Sequence, residues 1–538
     1  MKRTALLIAE QLYRWGIRHL FGIPGKPVVP FILAAEDSGI TFVLSRHEGG
    51  AGYEAAGYAM QARGLGAAVG TSGPGATNML TAAAQAKASG IPVLFFTGHP
   101  SAASTGKPQG QDSSAFGTDT EALFKPVTKF SAQVERADQV GPMLLHAVKM
   151  AVEGVPGPVH LSIPADVLMA EAEPFSYAMP QPDVTYSLRI NEFPTAAASA
   201  KRPVLLLGKG VHTSSAYAEV RACAELYQLP VMTTPGGKGT FPDDHPLSLG
   251  AFGLGGTERA HAYIEQGTDL LIVCGSSLSD MSVAGWKPEH YPERIIHFDA
   301  RQHVTGMSFP GPSLTIAGDL RLNLQQLLRL EAVPASPADL PAVQQPEDRR
   351  GGRWLSAGSV MDVLNERLPD RAFIYGDDGS HTFYAIQRYI VREPGHFFFD
   401  DVFGAMGHGI GYAVGAAFAD PDADIVCLTG DGCMFMHGAE VSTAVSGGAA
   451  LLFIVINNQA LDMVDKGMKV NIGRAAGTTY EKPLHATSFA ESLGADAYRI
   501  DSEDGLRSVM KNLFPLKQTT VLEVMTDPDE IPPTMRRG

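Results

Sequence analysis

A chain of 538 residues is too long for one hydrophobic core, and its length alone points to three or four domains. Its 45% apolar and 18% charged residues exclude a disordered chain. A formal charge of -15 argues against a nucleic-acid or anionic-membrane surface, so any phosphate it binds must be held by a local site.

Met1-Lys-Arg-Thr-Ala-Leu-Leu-Ile-Ala-Glu10 has a basic start but a short apolar stretch, and is expected to open a first helix, not a secretory leader. No window reaches the roughly 20 apolar residues of a membrane span, and a cytoplasmic protein is expected. Short apolar runs then alternate with helical stretches: His19–Gly22, Ile40–Leu44, Ala67–Thr71, Ile91–Phe96 and Val159–Ile163. Strands separated by helices predict a parallel, doubly wound sheet. A proline-rich linker over 171–190 precedes a second block with strands at Pro203–Gly208, Leu270–Cys274 and Ile295–Asp299. Composition shifts again over 331–353, and a third block carries Ala372–Tyr375, Ile425–Thr429, Leu451–Ile456 and Thr520–Val524. The fold class is therefore α/β, with three doubly wound domains at 1–170, 190–330 and 354–538. Cys223, Cys274, Cys427 and Cys433 are scattered, three of them in or beside apolar runs, which fits buried thiols in a reducing compartment and no disulfide framework or zinc site.

The strongest local signal is Gly430-Asp431-Gly432 at the end of one apolar run, with Asn458 at the end of the next, 27 residues after Asp431. Joined by a helix around Ala439–Val445, the two runs fit a βαβ unit, which brings Asp431 and Asn458 together at the carboxyl edge of the sheet. A carboxylate, an amide oxygen and a backbone carbonyl such as that of Ala460 are hard ligands suited to Mg²⁺. The flanking glycines allow close approach to phosphate. Alone, Gly-Asp-Gly is usually only a turn.

The whole run changes that balance. Val414-Gly415, Pro421, Val426, Leu428 and Gly430-Asp-Gly-Cys433, with Asn457-Asn458 downstream, resemble the signature of thiamine-diphosphate enzymes, specifically the acetolactate synthase branch. The resemblance spans all three blocks, implying a pyrimidine-binding, a middle and a diphosphate-binding domain. It implies thiamine diphosphate and Mg²⁺ as cofactors. Phe21-Gly-Ile-Pro24-Gly25 and Arg46-His-Glu48, followed by the Ala/Gly-rich helix 49–63, look like the pyrimidine site. By that match Glu48 is the catalytic acid paired with N1′ of the aminopyrimidine, where a Glu in an apolar cleft can share a proton. Otherwise Glu48 would merely complement a helix N-terminus.

Pro74 and Asn78, in Gly70–Asn78, match the loop against the cofactor; Ser380 and His381 match a diphosphate-holding loop; Gly404 and Met406 match the stretch whose apolar side chain wedges the cofactor into a bent form. Cys433 and Met463 complete the expected cofactor contacts. The resemblance further implies at least a homodimer, commonly a tetramer, with sites between subunits, and a small 2-oxo acid as substrate.

Departures concern the acceptor. Where acetolactate synthases carry a Phe-Gln pair, this chain has Ala115-Phe116, and Met463-Val464 is followed by Asp465-Lys-Gly467 without the tryptophan of anabolic members. Phe116, Gln111 and Gly467 are the candidate substrate positions. In the middle block Gly208-Lys-Gly210 lacks the full dinucleotide fingerprint, and Gly275-Ser-Ser-Leu-Ser-Asp280 stands where flavin-containing members place an arginine, so FAD is not expected. The expected activity is decarboxylation of pyruvate or a related 2-oxo acid and ligation of the fragment to a second carbonyl. The alternatives are a simple decarboxylase releasing an aldehyde, and a non-catalytic cofactor-binding paralogue.

Overall fold

Three six-stranded sheets, each wholly parallel, carry the chain. The computed structural model describes residues 1–301, 304–332, 334, 339–342 and 354–535. The first sheet runs Thr41–Leu44, His19–Gly22, Gly66–Gly70, Val93–His99, Val159–Pro164, Phe130–Gln133 across its width. The third runs Phe397–Phe399, Phe373–Gly376, Ile425–Gly430, Leu451–Asn457, Thr520–Met525, Asp496–Ile500. Numbered within each sheet, both have the order 2-1-3-4-6-5, so the two outer blocks are topological copies. The middle sheet follows the doubly wound order 3-2-1-4-5-6, from Ser248–Ala251 to Ser313–Ala317.

Central strands such as Leu451-Leu-Phe-Ile-Val-Ile-Asn457 are buried along their whole length, as a parallel sheet with both faces covered requires. The stretch after Ala170 pairs its Glu171–Ala172 antiparallel to Lys2–Arg3 and then runs without regular structure to Ser187, while much of the 331–353 segment lies outside the described residues. The crossover after Gly430 differs from a single helix around 439–445. A helix starts at Asp431 itself and ends at His437, a 3₁₀ turn follows at Gly438–Glu440, and Val441–Ser446 completes it.

The outer blocks meet through two helices, Glu48–Ala62 and His408–Ala419, whose small residues let the backbones touch. A Cβ on Gly57 would stand 2.0 Å from the Tyr412 carbonyl oxygen, and one on Gly415 would stand 1.8 Å from that of Glu54. Glycine inside a helix costs about 1 kcal/mol relative to alanine. Here the close contact offsets that cost. Among the described residues no helix is long and apolar enough to cross a membrane, and all four cysteines are free and buried.

Candidate active site

The predicted site residues fall into two clusters, each at the carboxyl edge of an outer sheet, where open α/β sheets bind ligands. In the first cluster, Glu48 opens its helix directly behind the N-cap His47, whose ring accepts the Gly49 N–H. Glu48 is 8% exposed, and its Oε2 accepts a hydrogen bond from Asn78 Nδ2 at 2.9 Å. Among the described residues this is its one side-chain hydrogen bond. Gly75, beside Pro74, has space for a Cβ only 3.4 Å from Glu48 Oε1 and 2.8 Å from Thr71. Gly25, next to the exposed Pro24, would meet Thr71 at 2.4 Å. The three loops after the strands at 19–22, 41–44 and 66–70 therefore close on one another around the Glu48 carboxylate.

In the second cluster, Asp431 Oδ1 accepts the Gly432 N–H at 2.9 Å, while Oδ2 is buried and has no hydrogen-bond partner among the described residues. Burial pushes the Asp431 carboxyl up to about 7, against the backbone N–H groups of Gly432, Gln459 and Ala460, with Asp462 adding to the rise. Asn458 is buried beside it, and Gln459 adopts the left-handed region at φ 66°, turning the chain from Asn458 to Ala460. The His381 ring sits between two glycines: a Cβ on Gly379 would meet it at 2.5 Å and one on Gly430 at 2.8 Å. Burial lowers His381 to about 4, so it is neutral at pH 7, and its Nε2 is buried and has no partner among the described residues. Such an imidazole offers a hydrogen bond rather than a charge. Ser380 is buried one residue earlier, and Cys433 is held with its thiol 3.3 Å from the Asp378 carbonyl oxygen.

Met406 reaches into this cluster: its Cε lies 3.0 Å from where a Cβ on Gly432 would stand, alongside Leu461 and Tyr480. The turn that carries it has Phe403, Gly404 and Gly407 at positive φ. Met463 is half-buried and packs against the third sheet's core.

The candidate substrate positions are less gathered. Gln111 lies against Gly73 at the mouth of the first cluster, 3.4 Å from a Cβ there. Phe116 is 75% exposed and leans on Gly106. Among the described residues a Cβ on Gly467 would come within 4 Å of Met535 alone, at 3.9 Å.

Two acids in Gly376-Asp-Asp-Gly379 carry no signal in the sequence, because that string looks like a plain turn. Buried Asp377 accepts the N–H groups of Asp378 (2.9 Å) and Gly407 (2.8 Å) and the Thr429 hydroxyl (3.0 Å), pinning the base of the Met406 turn. Asp378, raised to about 6 by burial, places Oδ2 3.0 Å from the Cβ position of Gly404. Asp462 is equally unmarked in sequence; burial raises its carboxyl, eased by the Ser380 hydroxyl and by Lys466 Nζ at 3.7 Å.

Three family models match in sequence. The thiamine pyrophosphate enzyme N-terminal TPP-binding domain covers residues 2–122, the central domain 191–327, and the C-terminal TPP-binding domain 377–524. The chain belongs to the thiamine pyrophosphate enzyme family. Among curated relatives, a Methanocaldococcus jannaschii protein described as a probable acetolactate synthase large subunit is 32% identical, over 100% of this chain and 94% of its own length. The Escherichia coli acetolactate synthase isozyme 1 large subunit is 31% identical, over 98% of this chain and 94% of its own. A solved Mycobacterium smegmatis structure, described as a thiamin diphosphate-dependent enzyme, shares the fold at a TM-score of 0.84 and 24% identity, covering 98% of this chain and 100% of that one. These likenesses put the chain with the acetolactate synthase-like thiamine-diphosphate enzymes.

The donor set fits the family's cofactor. Asp431 Oδ2 and His381 Nε2 are buried polar atoms lacking partners, and Gly430 and Gly432 leave no side chain between them and a ligand. Among the described residues no three His, Cys, Asp or Glu side chains converge on one point, so a cation at Asp431 would draw its remaining oxygens from Asn458, the Ala460 carbonyl and the diphosphate. The middle sheet, from Ser248–Ala251 to Ser313–Ala317, carries a separate opening. A cavity of about 490 Å³ opens at its switch point, by Lys209, Asp299 and Arg301. A Cβ on Gly208 or Gly210 would meet the Gly275 backbone at 2.5 and 2.6 Å, so both glycines let the two loops pack closely. Lys209 is ion-paired to Asp400, and Asp299 accepts from Arg301.

Proposed function

We propose that the protein is a Mg²⁺-dependent carboligase of acetolactate-synthase type, which decarboxylates pyruvate or a related 2-oxo acid and joins the fragment to a second carbonyl. The observation that carries this reading is the pairing of a buried, singly bonded Glu48 on one sheet edge with an unsatisfied Asp431 Oδ2 and His381 Nε2 on the other. The blocks 1–170, 190–330 and 354–538 are read as the pyrimidine, middle and diphosphate domains, with no flavin in the middle one.

Thiamine diphosphate, when bound, supplies the electron sink for breaking and making the bond beside the carbonyl. The chain's own groups do the rest. Glu48, steadied by Asn78, holds or releases a proton at N1′ of the aminopyrimidine. Asp431, Asn458 and the Ala460 carbonyl hold Mg²⁺, and Ser380 and His381 donate to the diphosphate. Met406 and Gly404 fix the orientation of the rings, a contribution of pre-organisation. The site is read as shared between two subunits of a homodimer or homotetramer, with Glu48 from one subunit and Asp431 from the other.

Product analysis tests the reading. The holoenzyme is given ¹³C-pyruvate and the products are followed by NMR. Acetolactate or another ketol supports ligation. Free acetaldehyde alone rejects it in favour of a simple decarboxylase, and absence of turnover with pyruvate and related 2-oxo acids rejects both.

A further inference from the structure

The turn Asp400–Gly407 is held from outside its own domain, and one side chain of the first block reaches three of its residues. Gln85, fully buried in the helix Leu80–Ser89, brackets the turn with both ends of its amide. Its Nε2 donates to the Val402 carbonyl (3.2 Å) and to Asp400 Oδ2 (3.1 Å), while its Oε1 accepts the Ala405 N–H at 3.1 Å. Asp400 is in turn bound by the hydroxyls of Ser89 and of Tyr412 (2.9 Å) and by Lys209 of the middle block. All three blocks thus meet at a buried polar knot two residues from Val402.

Between the two bracketed positions lie Phe403 at φ 74° and Gly404 at φ 67°. A bulky non-glycine residue stays in the left-handed region only where its surroundings over-determine it. A primary amide suits the bracket because donor and acceptor stand on one rigid plane. The far end of the turn is fixed separately, by Asp377 on the Gly407 N–H. With both ends held, Met406 is left one place to go, against Gly432.

We propose that Gln85 is a positioning residue for the reaction, setting the Phe403–Met406 turn from the neighbouring domain and through it the orientation of the bound cofactor. This rests on the reading of Met406 given above. The holoenzyme carrying Gln85→Met, an apolar side chain of similar length, tests it. Misplacement on the order of 1 Å costs about 10²-fold in rate, so C2–H/D exchange of the bound cofactor and kcat are expected to fall by about that factor. The thiamine diphosphate Kd and the KM for 2-oxo acid are expected to move by less than about threefold, since the turn's misplacement acts on orientation rather than occupancy. Gln85→Glu keeps an oxygen toward the Ala405 N–H but turns the donor arm into an acceptor facing Asp400 and the Val402 carbonyl, so it is expected to slow exchange as Gln85→Met does. Lys87→Met, on the exposed side of the same helix, is expected to leave the rate unchanged. Wild-type exchange in Gln85→Met, or an equal loss in Lys87→Met, overturns the proposal. If Gln85→Met fails to fold, Gln85→Glu decides: a slowed exchange at unchanged Kd supports the bracket, and an unchanged exchange overturns it. Absence of exchange in the wild-type holoenzyme overturns the proposed function and this proposal together, whereas a loss confined to the variants leaves that function intact.

Discussion

Glu440 accepts the backbone N–H of His47 at 2.9 Å, and that of Arg46 at 3.0 Å, so a carboxylate from the diphosphate-side crossover fixes the two residues ahead of Glu48. Its Oε2 also takes the Thr443 hydroxyl at 2.6 Å. Glu54 is fully buried nearby, and burial, reinforced by Glu440, raises its carboxyl well above the usual range. Burial disfavours a charge at Glu54 and a neutral amide carries none, so Glu54→Gln is expected to keep the melting temperature within a few degrees of wild type. Glu440→Gln turns one acceptor arm into a donor facing N–H groups, and is expected to cost about 1–3 kcal/mol. Thermal unfolding of the two variants side by side checks the asymmetry; equal losses would reject the reading that burial disfavours a charge at Glu54.

The helix pair beneath this contact sets a second expectation. Gly415→Ala would place a methyl 1.8 Å from the Glu54 carbonyl oxygen, a clash with backbone that no rotamer relieves. The helices must separate, and overpacking of this kind costs typically about 1–3 kcal/mol. Gly448, which has no heavy atom within 4 Å of a Cβ but sits at φ 70°, provides a contrast: there alanine meets backbone strain without a clash. Melting curves of Gly415→Ala and Gly448→Ala should show the larger loss at Gly415.

Most of the architecture was legible because its central strands are buried on both faces and read as continuous apolar runs, as Ile425–Gly430 and Leu451–Asn457 do. What escaped lay mainly at the sheet edges. Asp496–Ile500 is an edge strand whose Asp-Ala-Tyr-Arg-Ile string is neither an apolar run nor a strict alternation, and the edge strand Ser313–Ala317 alternates over too few residues to stand out. The two site clusters were legible as motifs. Gln85 and Asp377 were not, since a polar residue in a helix or a turn becomes a bracket only through partners far away in sequence, such as Ala405 and Gly407.

Acid should loosen the fold through its buried histidines. His160 lies between the Thr97 and Ser131 hydroxyls and stacks on Phe124, and burial lowers it to about 3. His212 is likewise lowered to about 4. Unfolded imidazoles titrate near pH 6.5, so between that pH and the folded value the unfolded chain binds more protons. The stabilisation is complete above pH 6.5 and is lost as pH falls towards 4 and then 3, by up to about 1.4 kcal/mol per pH unit for each histidine. The apoprotein's melting temperature should fall steadily below pH 6.5, and His160→Gln should flatten that slope. An unchanged slope would remove His160 from the account.

Metal and cofactor are expected to leave together. Asp431 and Asn458 offer too few oxygens to hold Mg²⁺ without the diphosphate, and the diphosphate at an acidic protein needs the cation to hold it. Dialysis against EDTA should release thiamine diphosphate, and Mg²⁺ with fresh cofactor should restore activity. Asp431→Ala should retain neither. A variant at Asp431 with full cofactor content would reject the metal assignment.

Glu48 and Asp431 can finally be tested against each other. Glu48→Gln keeps a partner for Asn78 and is expected to bind cofactor, but an amide cannot share a proton with N1′, so C2–H/D exchange should slow by about 10²–10⁴-fold. Asp431→Ala should be inactive for a different reason, loss of the cation. If each site takes Glu48 from one subunit and Asp431 from the other, a mixed dimer of the two variants contains one site with both residues intact and one with neither. Random re-association of equal amounts should then restore about a quarter of wild-type activity, half the dimers being mixed with half their sites working. If Glu48 and Asp431 of a site belonged to the same chain, every chain in the mixture would carry a defective site and mixing would restore nothing. The assay therefore reads the assembly of the site directly, and activity that stays at the level of the separate variants after subunit exchange would reject the shared-site arrangement while leaving the roles of the two residues to the exchange and EDTA measurements.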